Sequence, residues 1–287
     1  NNYKKVFHEL IPKTLDSLLP KNETRYWASS PSLGWGRKES LTQGDVHYWG
    51  VWWGKEPFEM YNEKVGRFVS EYGFQGMPSE ETLQKVLPKE EMNFNSDTFK
   101  NHQKHPTGFE TIREYMARDY QVPENLEEFV FVSQLLQARG MKIAIEAHRR
   151  NRPYCMGTLF WQLNDCWPVT SWSAVDYYGK KKAFYYQTQK SYEPLIVHVY
   201  QNKTATEIYT INDYPTDKSG KIEMKIFDFQ GNNLWQDTVL VIANSNTSTI
   251  QKRIDESFIN QFNRKEVVLQ VVFTTNEKVY ETLHYFA

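Results

Sequence analysis

The chain has 287 residues with 34 basic and 35 acidic side chains, a formal net charge of -1 that leaves no electrostatic footprint for nucleic acid or an anionic membrane. A chain of this length buries a substantial core in one or two domains, and no run of about 20 apolar residues is present to span a bilayer. Nine Trp and eighteen Tyr suit a neutral partner, since pyranose C–H faces stack on aromatic rings while sugar hydroxyls ask for carboxylates and amides.

In chain order, residues 2–19 carry Tyr3, Val6, Phe7, Leu10, Ile11, Leu15, Leu18 and Leu19 at helical spacing and predict an amphipathic helix interrupted near Pro12. Arg25 to Ser30, closed by Pro31, reads as a strand, and Asp45 to Gly50 as the next. Residues 57–65 read as helical and Gly66 to Phe74 as the third strand. A helix over 79–87 follows, capped by Ser79, with Glu80 and Glu81 favouring its N-terminal dipole. Residues 89–125 are polar and irregular, an inserted segment with a short helix before Pro123. The apolar rhythm of 125–150 predicts a helix, with Arg149 and Arg150 as a solvated end countering its dipole. Met156 to Leu163 is the fourth predicted strand and 179–192 a Lys- and Tyr-rich helix.

After Pro194 the pattern changes to seven short β-branched and aromatic runs separated by Asn, Asp, Gly and Ser turns, which predicts a β-sandwich. A boundary near 194 divides the chain into residues 1–194, α/β, and 195–287, all β. Cys155 and Cys166 bracket the fourth strand; extended backbone sets them roughly 36 Å apart, so they read as buried thiols rather than a disulfide. No Cys/His spacing suggests zinc. His102 and His105 near Glu110 lack a second ligand pair and read as part of the polar insertion, so neither metal nor cofactor is expected.

The third strand ends in Ser70-Glu71-Tyr72-Gly73, a lone carboxylate beside aromatics and immediately followed by a turn-forming segment. Glu71 reads as a glycosidase nucleophile. Tyr48, at the end of the preceding strand, is the candidate to orient it. His47 and Asp45 either bind sugar hydroxyls or hold their loop; Asn164 and Asp165 have the same two readings, the structural one favoured because polar pairs at strand ends cap turns. Trp35, Trp52 and Trp53 are candidates to line subsites beyond the cleaved bond, or to pack against neighbouring domains.

Gly44-Asp45-Val46-His47-Tyr48-Trp49, Ser70 to Gln75, and Gly157-Thr158-Leu159-Phe160-Trp161-Gln162-Leu163-Asn164-Asp165, followed by Ser171-Trp172 and Gly179-Lys180, resemble the β-mannosidases of glycoside hydrolase family 2. The resemblance runs in order to about residue 194 and implies a retaining (β/α)8 TIM barrel flanked by β-sandwiches. Residues 1–194 would then be the second half of the barrel, roughly strands 5–8, and 195–287 an immunoglobulin-like sandwich. It implies Glu71 as nucleophile on strand 7, and Trp161 on strand 8 as floor of the −1 mannose subsite, preceding a non-proline cis peptide to Gln162. The family's acid/base glutamate follows an asparagine at the end of strand 4 and has no counterpart here, so the expectation is a C-terminal piece that carries half a site and is inactive alone.

A retaining exo-β-mannosidase is the first reading, with carbohydrate and the N-terminal remainder of the same polypeptide as partners. A β-galactosidase, β-glucuronidase or exo-glucosaminidase of the same family is the near alternative, and a non-catalytic carbohydrate-binding or interdomain module the distant one. Cysteine use leaves the compartment open; a secreted, periplasmic or lysosomal setting is favoured over the cytoplasm.

Overall fold

A computed structural model describes residues 2–19 and 26–286. Helix α1 (Asn2–Lys5) runs through a π-helical stretch (Val6–Leu10) into α2 (Ile11–Leu18). The expected break at Pro12 is instead absorbed by winding: Pro12 has no N–H to give, and Ile11 N–H reaches back to Val6 O. None of these helical residues is buried, and Leu10 and Leu18 are 60% and 73% exposed, while the Tyr3 hydroxyl donates to Ala28 O at 3.4 Å. Arg25 lies outside the described residues, and Tyr26–Ser29 form no strand, which corrects that expectation. The Trp27 indole donates instead to Asp45, and Ser29 Oγ to Pro31 O.

Strand β1 (Val46–His47) pairs in parallel with β2 (Val69–Glu71), with His47 opposite Glu71. The predicted fourth strand is reduced to a single bridge, Thr158 beside Val69, yet its backbone still tracks β2: Met156 N–H donates to Arg67 O, Leu159 N–H to Val69 O and Trp161 N–H to Tyr72 O. Between β2 and this segment lie α3 (Glu80–Gln84), α4 (Asp97–Asn101), α5 (Gly108–Asp119) and the 25-residue α6 (Leu126–Arg150); α7 (Ala183–Ser191) follows. The caps are legible: Ser79 Oγ accepts from Thr82 N–H, and Asn125 Oδ1 from Glu128 N–H. Tyr61, Tyr72, Phe74, Phe99, Tyr115 and Phe129 fill the core of this part, aromatic edges against aromatic faces.

All seven strands predicted after Pro194 are present: β3 (Leu195–Gln201), β4 (Ala205–Asn212), β5 (Lys218–Asp228), β6 (Asn233–Ala243), β7 (Thr247–Asp255), β8 (Val267–Thr275) and β9 (Val279–Tyr285), with a short α8 (Glu256–Ile259). They form an antiparallel three-stranded sheet, β3-β4-β7, and a four-stranded one, β6-β5-β8-β9. The two inner faces share a second core around Ile208, Ile222, Met224, Leu269, Val271 and Phe273.

The two cores are joined at the C-terminal end of α6. Arg149 and Arg150, expected in solvent, are each only 8% exposed. Arg149 Nη2 donates to Glu193 O (2.8 Å) and Asp213 Oδ2 (3.0 Å), and Arg152 Nη1 to Asp213 Oδ1 (2.8 Å). Arg150 lies 3.6 Å over the Tyr200 ring, and buried His198 Nδ1 meets Glu146 Oε2 at 2.7 Å. The sandwich thus supplies part of what solvent was expected to provide, Asp213 as an acceptor and Tyr200 as an aromatic face. Cys155 is buried as expected, whereas Cys166 is exposed, because the turn that carries it lies at the surface; neither forms a disulfide.

Candidate active site

Glu71 closes β2 with its side chain 24% exposed. Its Oε1 accepts the indole N–H of Trp49 at 2.8 Å, and its Oε2 lies 3.6 Å from His47 Nδ1. Tyr48 does not orient it. The phenol donates instead to Glu56 within the core, 4% exposed, and Tyr48 meets Glu71 only through its backbone N–H to Glu71 O at 2.7 Å. The reason is strand alternation: His47 faces the open side, so Tyr48 must face inward, where burial and the Glu56 carboxylate push its phenol well above the ordinary range. The chain then leaves the strand and swings Trp49 back over the carboxylate. Sequence alternation alone gave no sign of that swing.

Asp45 holds its loop. Oδ2 accepts from Ser30 Oγ and Ser70 Oγ, both at 2.6 Å, and Oδ1 from Trp27 Nε1 and Ser32 N–H, both at 3.0 Å. Burial would raise its carboxyl, but these four donors outweigh it and hold the group below the usual carboxylate range. Asp165 is likewise consumed: its buried side chain accepts from Ser171 Oγ (2.8 Å), Ser173 Oγ and Gln162 Nε2 (3.2 Å). Asn164 contributes its carbonyl to the same turn, accepting from Gln162 Nε2 at 2.8 Å, and its side chain is exposed.

Trp161, 42% exposed, is followed by a cis peptide to Gln162, as the resemblance implied. Its backbone sits against the residues just after Glu71: a Cβ on Gly73 would lie 2.2 Å from Trp161 O, so only glycine permits this approach. Trp53 is 55% exposed and packs on His105 with ring centroids 4.3 Å apart. His105 in turn meets Trp172 (6.2 Å), and Trp172 meets Trp49 (6.1 Å). An aromatic chain therefore leads from the Glu71 carboxylate to an exposed indole. Trp52 does not line an opening: it is 2% exposed at φ 80°, its ring against Phe74, His105 and Trp172. Trp35 is 40% exposed.

Beneath this rim the Lys182 ammonium is buried and donates to Gly76 O (2.8 Å), where burial pulls it down to about 8 against the pull of Asp165 and Asp176. His102 Nδ1 bonds Pro168 O at 2.6 Å and His105 Nδ1 accepts from Thr107 N–H, and no group of three or more His, Cys, Asp or Glu side chains among the described residues is placed to hold a metal ion. Clefts of about 260 and 600 Å³ lie along the sandwich and its seam, and Glu71 lines neither.

A family model described as a Mannosidase Ig/CBM-like domain matches residues 204–287. Beta-mannosidase B of Aspergillus niger is 30% identical over 241 residues, covering 77% of this chain and 28% of that protein. The Thermothelomyces thermophilus protein of the same name is 34% identical over 208 residues, covering 68% and 24%. The chain thus spans about a quarter of these curated relatives. Among solved structures, the β-D-mannosidase of Dictyoglomus thermophilum matches 99% of this chain and 35% of that one with a TM-score of 0.90 at 30% identity. An exo-chitosanase of Amycolatopsis orientalis, at 19% identity and a TM-score of 0.66, covers 80% of this chain and 29% of that one, and shares the fold.

Proposed function

We propose, from the premise that this chain is a β-mannosidase-like protein of glycoside hydrolase family 2, that it carries the nucleophile half of a retaining, exo-acting β-mannosidase site. The observation that carries the reading is the Glu71 carboxylate, fixed at one oxygen by Trp49 and left partly open at the end of a parallel strand. Retention requires a carboxylate to attack the anomeric carbon and a second carboxylic acid about 5–5.5 Å away to protonate the leaving oxygen. The contacts of the Glu71 carboxyl here are with Trp49 and His47, and the acid/base belongs to polypeptide outside these residues.

Residues 1–194 are read as the second half of a TIM barrel and 195–287 as its immunoglobulin-like neighbour. The parallel run of β1, β2 and the Thr158 segment supports this, as does the exposure of Leu10 and Leu18 on the first helices. Trp161 supplies the apolar floor for the sugar ring at the cleaved bond, with Trp53 farther out. His47 lines the carboxylate, and Asn164 is the remaining polar side chain free to meet a hydroxyl.

Trapping of the full-length parent with an activated 2-deoxy-2-fluoro-mannoside, followed by peptide mapping, tests the reading. Label on the peptide holding Glu71 is expected; turnover with label elsewhere overturns it. Preferential trapping by the galactose-, glucuronate- or glucosamine-configured reagent would keep the mechanism and change the substrate. Residues 1–287 alone are expected to give negligible turnover of an aryl β-mannoside.

A further inference from the structure

We propose that the sandwich carries a second carbohydrate site, in the cleft of about 260 Å³ between β6, β7 and α8, and that its ligand is a neutral hexopyranose chain. Two rings form the floor. Trp235 of β6 and Phe258 of α8 stand 5.4 Å apart with their planes at 59°, each half-buried with one side packed on the sandwich core. Phe262 backs Phe258 at 5.5 Å. The short helix beneath them is pinned to the three-stranded sheet, since the Glu256 carboxylate accepts from Gln201, Thr206 and Arg264. The floor is therefore set before a ligand arrives, and it offers the C–H face of a pyranose a rigid apolar surface.

The rim selects the class of ligand. Lys252 Nζ is taken by Asp237 Oδ2 at 2.7 Å and Arg253 Nε by Glu207 Oε1 at 3.0 Å, so the two cations that line the cleft are already neutralised and call for no anion. Asp255 is different. It ends β7 directly before α8, where an aspartate ordinarily accepts from a backbone N–H of the first turn, yet its side chain makes no such bond. The side chains of Asp255, Ser257, Gln261 and Trp235 all line the cleft, and their polar atoms have no partner among the described residues. An ionised carboxylate accepts from two neighbouring hydroxyls at once, the amide both donates and accepts, and the indole N–H and the serine hydroxyl donate to ring or bridging oxygens. That inventory fits a polyol and repels an anion. The contacts that dock the sandwich on α6 come from His198 and Tyr200 on β3 and from Asp213 after β4, whereas the cleft opens at β6 and β7, the opposite edges of the two sheets, so docking leaves it uncovered.

Native electrophoresis of the full-length protein through gels holding soluble galactomannan or hydroxyethyl cellulose reads the binding, with polygalacturonate as the anionic counterpart. Retardation by at least one neutral polymer and none by polygalacturonate is expected. Trp235→Ala removes the floor and should weaken the retardation about tenfold, while kcat/KM on an aryl β-mannoside stays within about twofold of the wild type. Asp255→Ala and Gln261→Ala, at exposed side chains, should each weaken it several-fold, and they decide the matter if thermal unfolding shows that Trp235→Ala loosens the sandwich. Glu71→Ala should abolish hydrolysis and keep the retardation. A wild type that migrates alike with and without the neutral polymers, equal retardation by polygalacturonate, retardation unchanged in all the sandwich variants, or retardation that vanishes in Glu71→Ala overturns the site. Hydrolysis that survives in Glu71→Ala overturns the nucleophile alone, since the cleft does not depend on it.

Discussion

Trp49 and Glu71, 22 positions apart in sequence, are joined side chain to side chain by an indole N–H donating to a carboxylate oxygen at 2.8 Å. The bond fixes the rotation of the carboxyl group and leaves its other oxygen toward His47. It also ties Glu71, the proposed nucleophile, to the aromatic chain that runs through Trp172 and His105 to Trp53, so the exposed end of that chain and the carboxylate share one support.

Removing that donor while keeping a ring in place isolates its effect. Trp49→Phe in the full-length enzyme is expected to lose about 1.5–3 kcal/mol, the worth of a hydrogen bond to a charged group, and so about 10–100-fold in kcat/KM on an aryl β-mannoside. The loss should fall on kcat more than on KM. An unchanged kcat would show that the carboxylate keeps its geometry without the indole.

Gly73 is the second pressure point. Gly73→Ala drives a methyl group into the backbone oxygen of Trp161, which cannot rotate away as a side chain would. The expected cost is about 1–3 kcal/mol of stability, together with displacement of the Trp161 indole and loss of activity beyond what the stability change explains. Urea unfolding and trapping of Glu71 in the same variant separate the two effects; a stable variant with wild-type labelling would contradict the close contact.

Acid should destabilise the molecule. Burial pulls His148 down to about 3 and His198 and His284 to about 4, all below the 6.5 of an unfolded histidine. Between those values the unfolded chain binds protons that the folded chain refuses, so stability is complete above about pH 6.5 and is lost as the pH falls toward each folded value. Each histidine contributes a slope of up to about 1.4 kcal/mol per pH unit. Glu146, held at about 2 against the desolvating effect of burial by Lys142 and His198, adds a loss in the same direction below 4.5. Urea midpoints should fall from about pH 7 to about pH 5, and His284→Gln should reduce the slope by one proton; a flat profile would contradict this.

The sandwich strands were legible because each one alternates and is bounded by turn residues, a local signal that survives folding. Ser79 and Asn125 were legible as caps for the same reason: their partners lie three residues away. What sequence reasoning missed depends on distant partners. The structural reading favoured for Asp165 could not name its partners, and the even choice at Asp45 could not be resolved, because the serines that donate to them come from other segments of the chain. Arg149 and Arg150 look solvated until a second domain covers them. Tyr48 stands at the strand end in sequence, but its phenol turns inward to Glu56 and the Trp49 indole meets the carboxylate instead. The position of Glu71 at a strand end was readable, and so was the cis bond after Trp161 once the resemblance was drawn.

The seam at the end of α6 has a reach beyond holding two cores together. Asn151 follows the docked Arg150 directly, and ten residues later the same stretch of chain delivers Trp161 to the residues just after Glu71. The sandwich therefore acts as a bench vice: by gripping the foot of the helix it sets where the following span of chain begins, and with it the tilt of the indole on which a sugar would rest. If Trp161 floors a sugar site as proposed, a lesion in Asp213 or Tyr200, which touch only the foot of the helix, would be felt as a blunted hold on substrate.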